Sequence, residues 1–333
     1  MIIVNRSILH ILDFNSNVCV FSEEELDIQN NSIELFLTKH LERSFKDSSL
    51  KTGMFLEESK FQKKIVGYLN SDIDFISFSR FIGDLIYNSL SQTDMMDSLD
   101  LIVCDIDVEN ESQIAILLCT NKVGYTHQVI NDNGIVKNEI INHYAILPSL
   151  TQKLDGYAFI DGKDLSIKFV DKNRNINGQE LYILPEIILE CDSNISQREV
   201  IKLVKDVAIM VAENHNESSA IAISKAKNYI AENIEESQNL EPMELGKKVF
   251  SSSKLMQDEF IREAKEVGIP ETIKMDKEFA IKTGKNHKIK TDTGIEISFP
   301  SDYFKNTDYI EFINNADGTI SIQLRNIGKI TNR

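Results

Sequence analysis

The sequence predicts an α+β fold: a mainly antiparallel sheet with packed helices, followed by a helical segment and a C-terminal β-hairpin. Three observations predict it. The apolar period is helical over residues 31–90, then switches to strand alternation over 99–182. Residues 195–267 return to helical spacing. The close is strand again, with YIEFINNADGTISIQL reading as two alternating runs around Asp317-Gly318. Runs of strands and runs of helices, rather than strict βα alternation, are the α+β pattern.

Taken in order, Ile2–Phe14 and Val18–Phe21 read as strands separated by NSN, a turn composition. In NNSIELFLTKHLERSFKD, Asn31 or Ser32 suits a helix cap. Ile33, Phe36, Leu37, Leu41 and Phe45 recur at three- and four-residue steps. His40 lies beside that apolar face and reads as a packing residue. A second helix is expected across Glu57–Leu69, with Phe61, Ile65 and Leu69 in register. A third covers 72–90, capped by Asp72 or Asp74. Its stripe of Phe75, Ser79, Ile82 and Ile86 is widened by Phe78, Leu85 and Leu90, so most of its circumference should be buried. Arg80 is then its notable polar residue, paired with a carboxylate such as Glu57 or Glu58, or else facing a phosphate.

From Leu99, LDLIVCDIDV and SQIAILLCTN are β-rich runs joined by ENE. VGYTHQVI and GIVKNEIINH follow across NDNG, which completes an expected antiparallel meander. Short strands with Asp-Gly and Asn-Gly turns continue to Leu184, and Pro185 is expected to open a new region. Ser196 with Glu199 forms a capping box ahead of a helix. Helices are expected over Ser218–Glu236, Met243–Phe250 and Lys254–Val267, the last ended by Gly268 and Pro270. The expected division is an N-terminal α+β domain at 1–190 and a C-terminal helical segment with its closing hairpin at 191–333.

Composition limits the function. The 333 residues carry 36 Lys+Arg against 52 Asp+Glu, a formal net charge of -16. Residues 274–333 hold ten Lys/Arg and eight Asp/Glu, a net of +2, which leaves -18 on the first 273. Phosphate binding rests on cations that displace counterions, so a uniformly acidic surface excludes it and a segregated one does not. The four cysteines are scattered, form no CxxC and offer zinc no scaffold. Sparse cysteines and the lack of a secretory leader fit a reducing, cytoplasmic setting. No apolar run approaches the roughly 20 residues of a membrane span.

No Walker loop, GxGxxG, HxxxH or GxSxG occurs, so no catalytic residue, metal or cofactor is expected. The alternating acids Asp105, Asp107, Glu109 and Glu111 read as a hairpin tip rather than a cation loop, and the Asn173–Gly178 stretch as a turn. An unrecognised metal-dependent hydrolase would have to assemble Asp105 and Asp107 with a distant acid.

One stretch stands against the acidic background. From Ala280 to Thr291 there is no acid, while Lys282, Lys285, Lys288 and Lys290 fall close together with His287. A solvated basic loop and an anion site both explain it. As a loop or strand edge, it would set Lys288 and Lys290 on one side, and Gly284 would let the backbone approach a phosphate. Arg325, Lys329 and Arg333 are the cations that would extend such a surface. No helix presents Arg, Asn and Gln in the manner of a base-reading element, so any DNA contact would be to phosphates and blind to sequence.

Several segments resemble the bacterial NdpA/YejK-type nucleoid-associated protein family in order and spacing. They are GMFLEES at 53–59, DFISFSR at 74–80, IAILLCTN at 114–121, TGKNHKIKTDTG at 283–294, GIEISFPSDYF at 294–304 and the hairpin at 309–324. The resemblance covers nearly the whole chain and is weakest over 130–195. It implies a cytoplasmic protein of the nucleoid that binds DNA with little sequence preference. It also implies association with chromosome-handling enzymes such as a type II topoisomerase, and it carries over no catalytic residue. A homodimer is expected to strengthen non-specific binding by linking two sites. The competing expectation is an adaptor whose acidic surface meets a basic DNA-handling enzyme.

Overall fold

The structure, a computed structural model, describes residues 1–14, 18–91, 98–176, 178–237, 239–300, 303, 308–315 and 319–329. The chain divides into two compact units, Met1–Ser196 and Gln197–Arg333. The fold is α+β, with a mainly antiparallel sheet, packed helices and C-terminal hairpins.

In the first unit, β1 (Ile2–Asp13), β2 (Val18–Val20), β3 (Lys51–Gly53), β4 (Leu99–Val108), β5 (Glu111–Thr120), β8 (Gly156–Asp161) and β9 (Ile167–Val170) form one sheet. Its order is β2-β1-β4-β5-β8-β9-β3, antiparallel throughout. Helices cover both faces, so β4 and β5 are buried almost end to end instead of showing a wet side. Leu101, Val103, Ile114, Ile116 and Leu118 point to one core with α2 (Lys60–Leu69) and α3 (Phe75–Leu90). Their neighbours Ile102, Cys104, Ile106, Ala115, Leu117 and Cys119 point to the other, with α1 (Asn31–Phe45). The Glu109-Asn110 connection between β4 and β5 holds both residues at positive φ, 53° and 70°. That is the twist a two-residue hairpin needs, here taken without glycine.

Capping follows local chemistry with small shifts from the sequence reading. Asn30, not Asn31 or Ser32, caps α1, accepting from the Ser32 amide at 2.9 Å. Ser59 caps α2, which starts after Glu57 and Glu58 rather than at them. Asp74 caps α3. His40 is buried, as its spacing indicated, with its ring 4.5 Å from that of Phe36.

Two expectations fail here. The meander does not continue, because β6 (Lys122–Asp132) and β7 (Ile135–Ile146) pair, among the described residues, only with each other. After β5, the sheet takes β8 as its next strand. Pro185 does not open a new region: it lies buried in a π-helical turn, Ile183–Ile188, whose apolar side chains join the α2/α3 core. Between these, β10 (Asn173–Ile176) and β11 (Gln179–Tyr182) make a small hairpin. Its Asn177 lies outside the described residues.

The second unit contains α4 (Gln197–Asn214), α5 (Ser219–Ser237), α6 (Pro242–Val249) and α7 (Lys254–Glu266), followed by α8 (Lys277–Lys285). Gly268, at φ 76°, ends α7. The short strands β12 (Asn239–Leu240) and β13 (Ile273–Lys274) pair across the helices. Two hairpins follow, β14 (Asn286–Lys290) with β15 (Glu296–Pro300), and β16 (Ile310–Asn314) with β17 (Ile320–Leu324). The Phe299 and Phe312 rings, 6.5 Å apart, pack one hairpin on the other. The Asp317-Gly318 stretch lies outside the described residues, but the two runs flanking it pair as an antiparallel hairpin.

Candidate nucleic-acid interface

The basic stretch is not a loop. Asp276 caps α8 by accepting from the Phe279 amide at 2.8 Å, and Ala280 is fully buried. The helix therefore runs through Ile281–Lys285, and β14 follows at once. The signal was present in the sequence: Asp276, an acidic first turn with Glu278, then Phe279 and Ala280. Gly284 sits in the last helical turn, so it does not supply the open backbone a phosphate cradle needs. The side chains of Lys282, Lys285 and His287 lie outside the described residues, as does Arg333.

Strand geometry acts on the other two lysines. Lys288 pairs with Ser298 and Lys290 with Glu296, so all four share one side of the β14–β15 hairpin. Ile289 and Ile297 share the other. Both lysines are exposed. The Lys290 ammonium is 3.5 Å from Glu296, a well-solvated pair. Lys288 has no ion-pair partner among the described residues. On the second hairpin, Arg325 donates to Glu311 and, at 3.0 Å, to Gln323. Lys329 is exposed. The cations singled out in the sequence thus fall on α8, on β14 and just beyond β17, and two of them already face carboxylates.

The segments that carry the family resemblance have structural work. In 53–59, the Leu56 amide donates to Glu190 O, while the Asp192 and Asn194 amides return to Met54 O and Thr52 O. Ser59 both caps α2 and donates to Leu189 O at 2.9 Å. A side chain at Gly53 would meet the Asp192 carbonyl oxygen at 2.4 Å, which explains glycine there. In 74–80, Ser79 faces the fully buried His10 of β1. The Ser22 amide donates to His10 Nδ1 at 3.1 Å, so the proton sits on Nε2 and is donated to Ser79 Oγ at 2.9 Å. Ser79 in turn donates to Ile76 O at 2.8 Å. Burial, then the nearby positive charge of Arg80, lowers the His10 pKa to about 4. Sequence reading missed this chain because His10 and Ser79 are 69 residues apart.

Arg80 itself corrects the sequence reading. It is exposed and lies over the Phe21 ring at 5.8 Å, with no carboxylate pair among the described residues; Glu58 pairs with Lys63 instead. The helix turns Arg80 outward because Phe78, Ser79 and Ile82 occupy the inward positions.

The acidic tip has a neighbouring cleft of about 470 Å³, lined in part by Arg6, Tyr68, Phe75, Asp105 and Ser112. Arg6, Tyr68 and Asp105 are already engaged there. Tyr68 donates to Asp105, Arg6 is held by Glu25, and the Arg6 guanidinium lies 4.8 Å from the Phe75 ring centre. Burial, then Asp105, pushes the Tyr68 hydroxyl well above its ordinary range, so it stays a donor. Among the described residues no cluster of three His, Cys, Asp or Glu could hold a metal. The four cysteines are free, and burial raises Cys104, Cys119 and Cys191 to about 12, far from reactive. No helix among the described residues is long and apolar enough to cross a membrane.

A family model described as nucleoid-associated protein YejK matches residues 8–331 of the chain. No curated protein matches it.

Proposed function

Because the chain belongs to the YejK family of nucleoid-associated proteins, we propose that it contacts duplex DNA with little sequence preference through the β14–β15 hairpin. Lys288 and Lys290 form the centre of this contact, and Lys282, Lys285, Arg325 and Lys329 flank it. One observation carries the reading: two exposed lysines share a hairpin face inside the acid-free stretch 280–291 of an otherwise acidic chain. The Lys290–Glu296 and Arg325–Glu311 pairs do not block it. Exposed pairs contribute little, and a phosphate backbone that releases counterions on binding outcompetes a single carboxylate. Lysine ammonium groups on a strand make point contacts to phosphate and read no base edge, which is why sequence preference should be weak. The reading assigns no catalytic residue.

A second reading is favoured by a different observation. Two of the cations already have carboxylate partners, and the first 273 residues carry -18. On this reading the acidic surface binds a basic, DNA-handling protein such as a type II topoisomerase, and association with the nucleoid is indirect.

Gel-shift titrations at 50–200 mM salt separate the two. Direct contact predicts that the affinity falls with log salt at a slope of about -0.9 for each phosphate neutralised. Lys288→Gln with Lys290→Gln should reduce that slope by about 2 on any duplex sequence. An absence of binding at 50 mM salt, or an unchanged slope in the double variant, rejects the hairpin. A partner retained from nuclease-treated lysate by both proteins then supports the adaptor.

A further inference from the structure

Helices α4 and α5 pack as an antiparallel pair across a short turn, in which the Glu217 amide donates to Ala212 O. Lys205 lies nine residues before α4 ends at Asn214, and Lys227 lies eight residues after α5 begins at Ser219. Nearly equal distances from the turn bring the two lysines to one level of the seam. Their charges interact there. Burial, then the charge of Lys227, lowers the Lys205 pKa, and burial lowers that of Lys227. Both side chains are half-buried, because each borders the apolar stripe of its helix: Lys205 beside Ile201 and Ala208, Lys227 beside Ile223 and Ile230.

Lys205 also ends a row. Arg198, Lys202 and Lys205 recur at four- and three-residue steps, so they share one stripe of α4 over about 10 Å. Arg198 and Lys202 are exposed, and none of the three has an ion-pair partner among the described residues. Asp206 lies about 100° further round the helix, and its pull on Lys205 is smaller than the push from Lys227. Packing of the aliphatic stems accounts for the burial of either lysine alone. It does not account for two ammonium groups set at one level, where they repel until an anion joins them.

We propose that the α4–α5 seam binds a compact phosphate ligand of the polyphosphate class, free or carried on a nucleotide, with Lys205 and Lys227 at its inner end and Lys202 and Arg198 along its length. Charge sets the class, since only an anion relieves the repulsion. The Arg198 guanidinium, at the open end, suits a terminal phosphate held by two hydrogen bonds. The surroundings set the size. Beyond Lys205 the stripe runs through Ile209 to the exposed Glu213, and the exposed Glu217 follows in the turn, so a polyanion longer than the row would meet carboxylates. A duplex presents its phosphates on the outside of a wide rod and gains little from ammonium groups recessed between helices. A short phosphate chain can enter the seam and take contacts from both. The site uses none of the hairpin cations and does not depend on the DNA-contact reading above.

Isothermal titration of the full chain with inorganic triphosphate and with ATP, both without magnesium, tests it. The expected result is one saturable site per chain below 1 mM. Lys205→Gln with Lys227→Gln should weaken it at least tenfold, and Lys288→Gln with Lys290→Gln should leave it unchanged. Equal affinities assign the phosphate chain alone, and a tenfold preference for ATP assigns a nucleotide; both support the seam. No saturable binding of either ligand up to 1 mM overturns the proposal, as does an equal loss in the two double variants. Duplex binding that falls in parallel with triphosphate binding in the Lys205/Lys227 variant assigns the row to DNA and overturns the compact-ligand assignment. Should that variant fail to fold, amine acetylation of the wild-type chain, read by mass spectrometry, gives an independent readout. Triphosphate should protect Lys205 and Lys227 at least fivefold and spare the exposed Lys254 of α7. Equal labelling with and without triphosphate overturns the site.

Discussion

Protonation of His10 should weaken the first unit by an amount the geometry fixes. The ring accepts from the Ser22 amide and donates to Ser79, so a second proton would place two donors face to face at Nδ1. Its pKa is held at about 4 against an ordinary 6.5. The folded state therefore binds fewer protons than the unfolded one between those values, and stability from this group is full above 6.5 and lost as pH falls toward 4. The whole shift corresponds to about 3 kcal/mol, and the part expressed between pH 7 and pH 5 to about 2 kcal/mol. Asp100 acts in the opposite sense. Burial raises it to about 6, against a donated bond from Asn121 and with help from the charge of Asp13, so it favours folding as pH falls below that value. The wild-type profile alone would mix the two, so the quantity to measure is the difference between wild type and His10→Gln. Urea unfolding at pH 7 and pH 5, read from exchange-protected amides of β1 and β4, should show wild type losing about 2 kcal/mol more than the variant. Parallel losses, within about 0.5 kcal/mol, would mean that His10 titrates normally and that the hydrogen-bond chain is wrongly drawn.

Two further substitutions test the packing. Gly246→Ala on α6 would ordinarily strengthen a helix by about 1 kcal/mol. Here the new carbon would lie 2.1 Å from Cδ1 of the fully buried Phe260, so a net loss is expected from an overpacking cost of about 1–3 kcal/mol. Thermal unfolding of the second unit reads the sign. Ser59→Ala removes the α2 cap and leaves Leu189 O without its donor, with an expected cost of about 1–3 kcal/mol in urea unfolding of the first unit.

Local patterns carried much of the architecture. The stripes of α1, α2 and α3, the β4–β5 hairpin, the helices of 197–266 and the final hairpin all follow from spacing and caps that a few neighbouring residues decide. What escaped were decisions between distant residues. Nothing local in VGYTHQVI says that its strand will leave the sheet, since alternation looks the same in a meander and in a free ribbon. Arg80 looked buried because its helix is rich in apolar residues, yet its place on the circumference turns it outward. At the candidate interface, spacing placed Lys288 and Lys290 side by side. The helical reading of 277–285 was available from Asp276 and Phe279 but was masked by the lysines and Gly284. The carboxylates opposite Lys290 and Arg325 came into view only with strand register.

The order of pairing in the large sheet has a consequence for synthesis. β1 finds β4 nearly 100 residues later, and the 52–56 segment finds its partners at 190–194. At ~5–20 residues per second, a ribosome takes roughly ten to thirty seconds to deliver those partners after the first helix has emerged. Until β4 is complete at Val108, Ile8 and Leu12 have only the three-residue β2 beside their strand, and the 52–56 segment waits longer still. A nascent chain of this protein should therefore recruit holdase chaperones early and release them only once the segment up to Asn194 has cleared the exit tunnel.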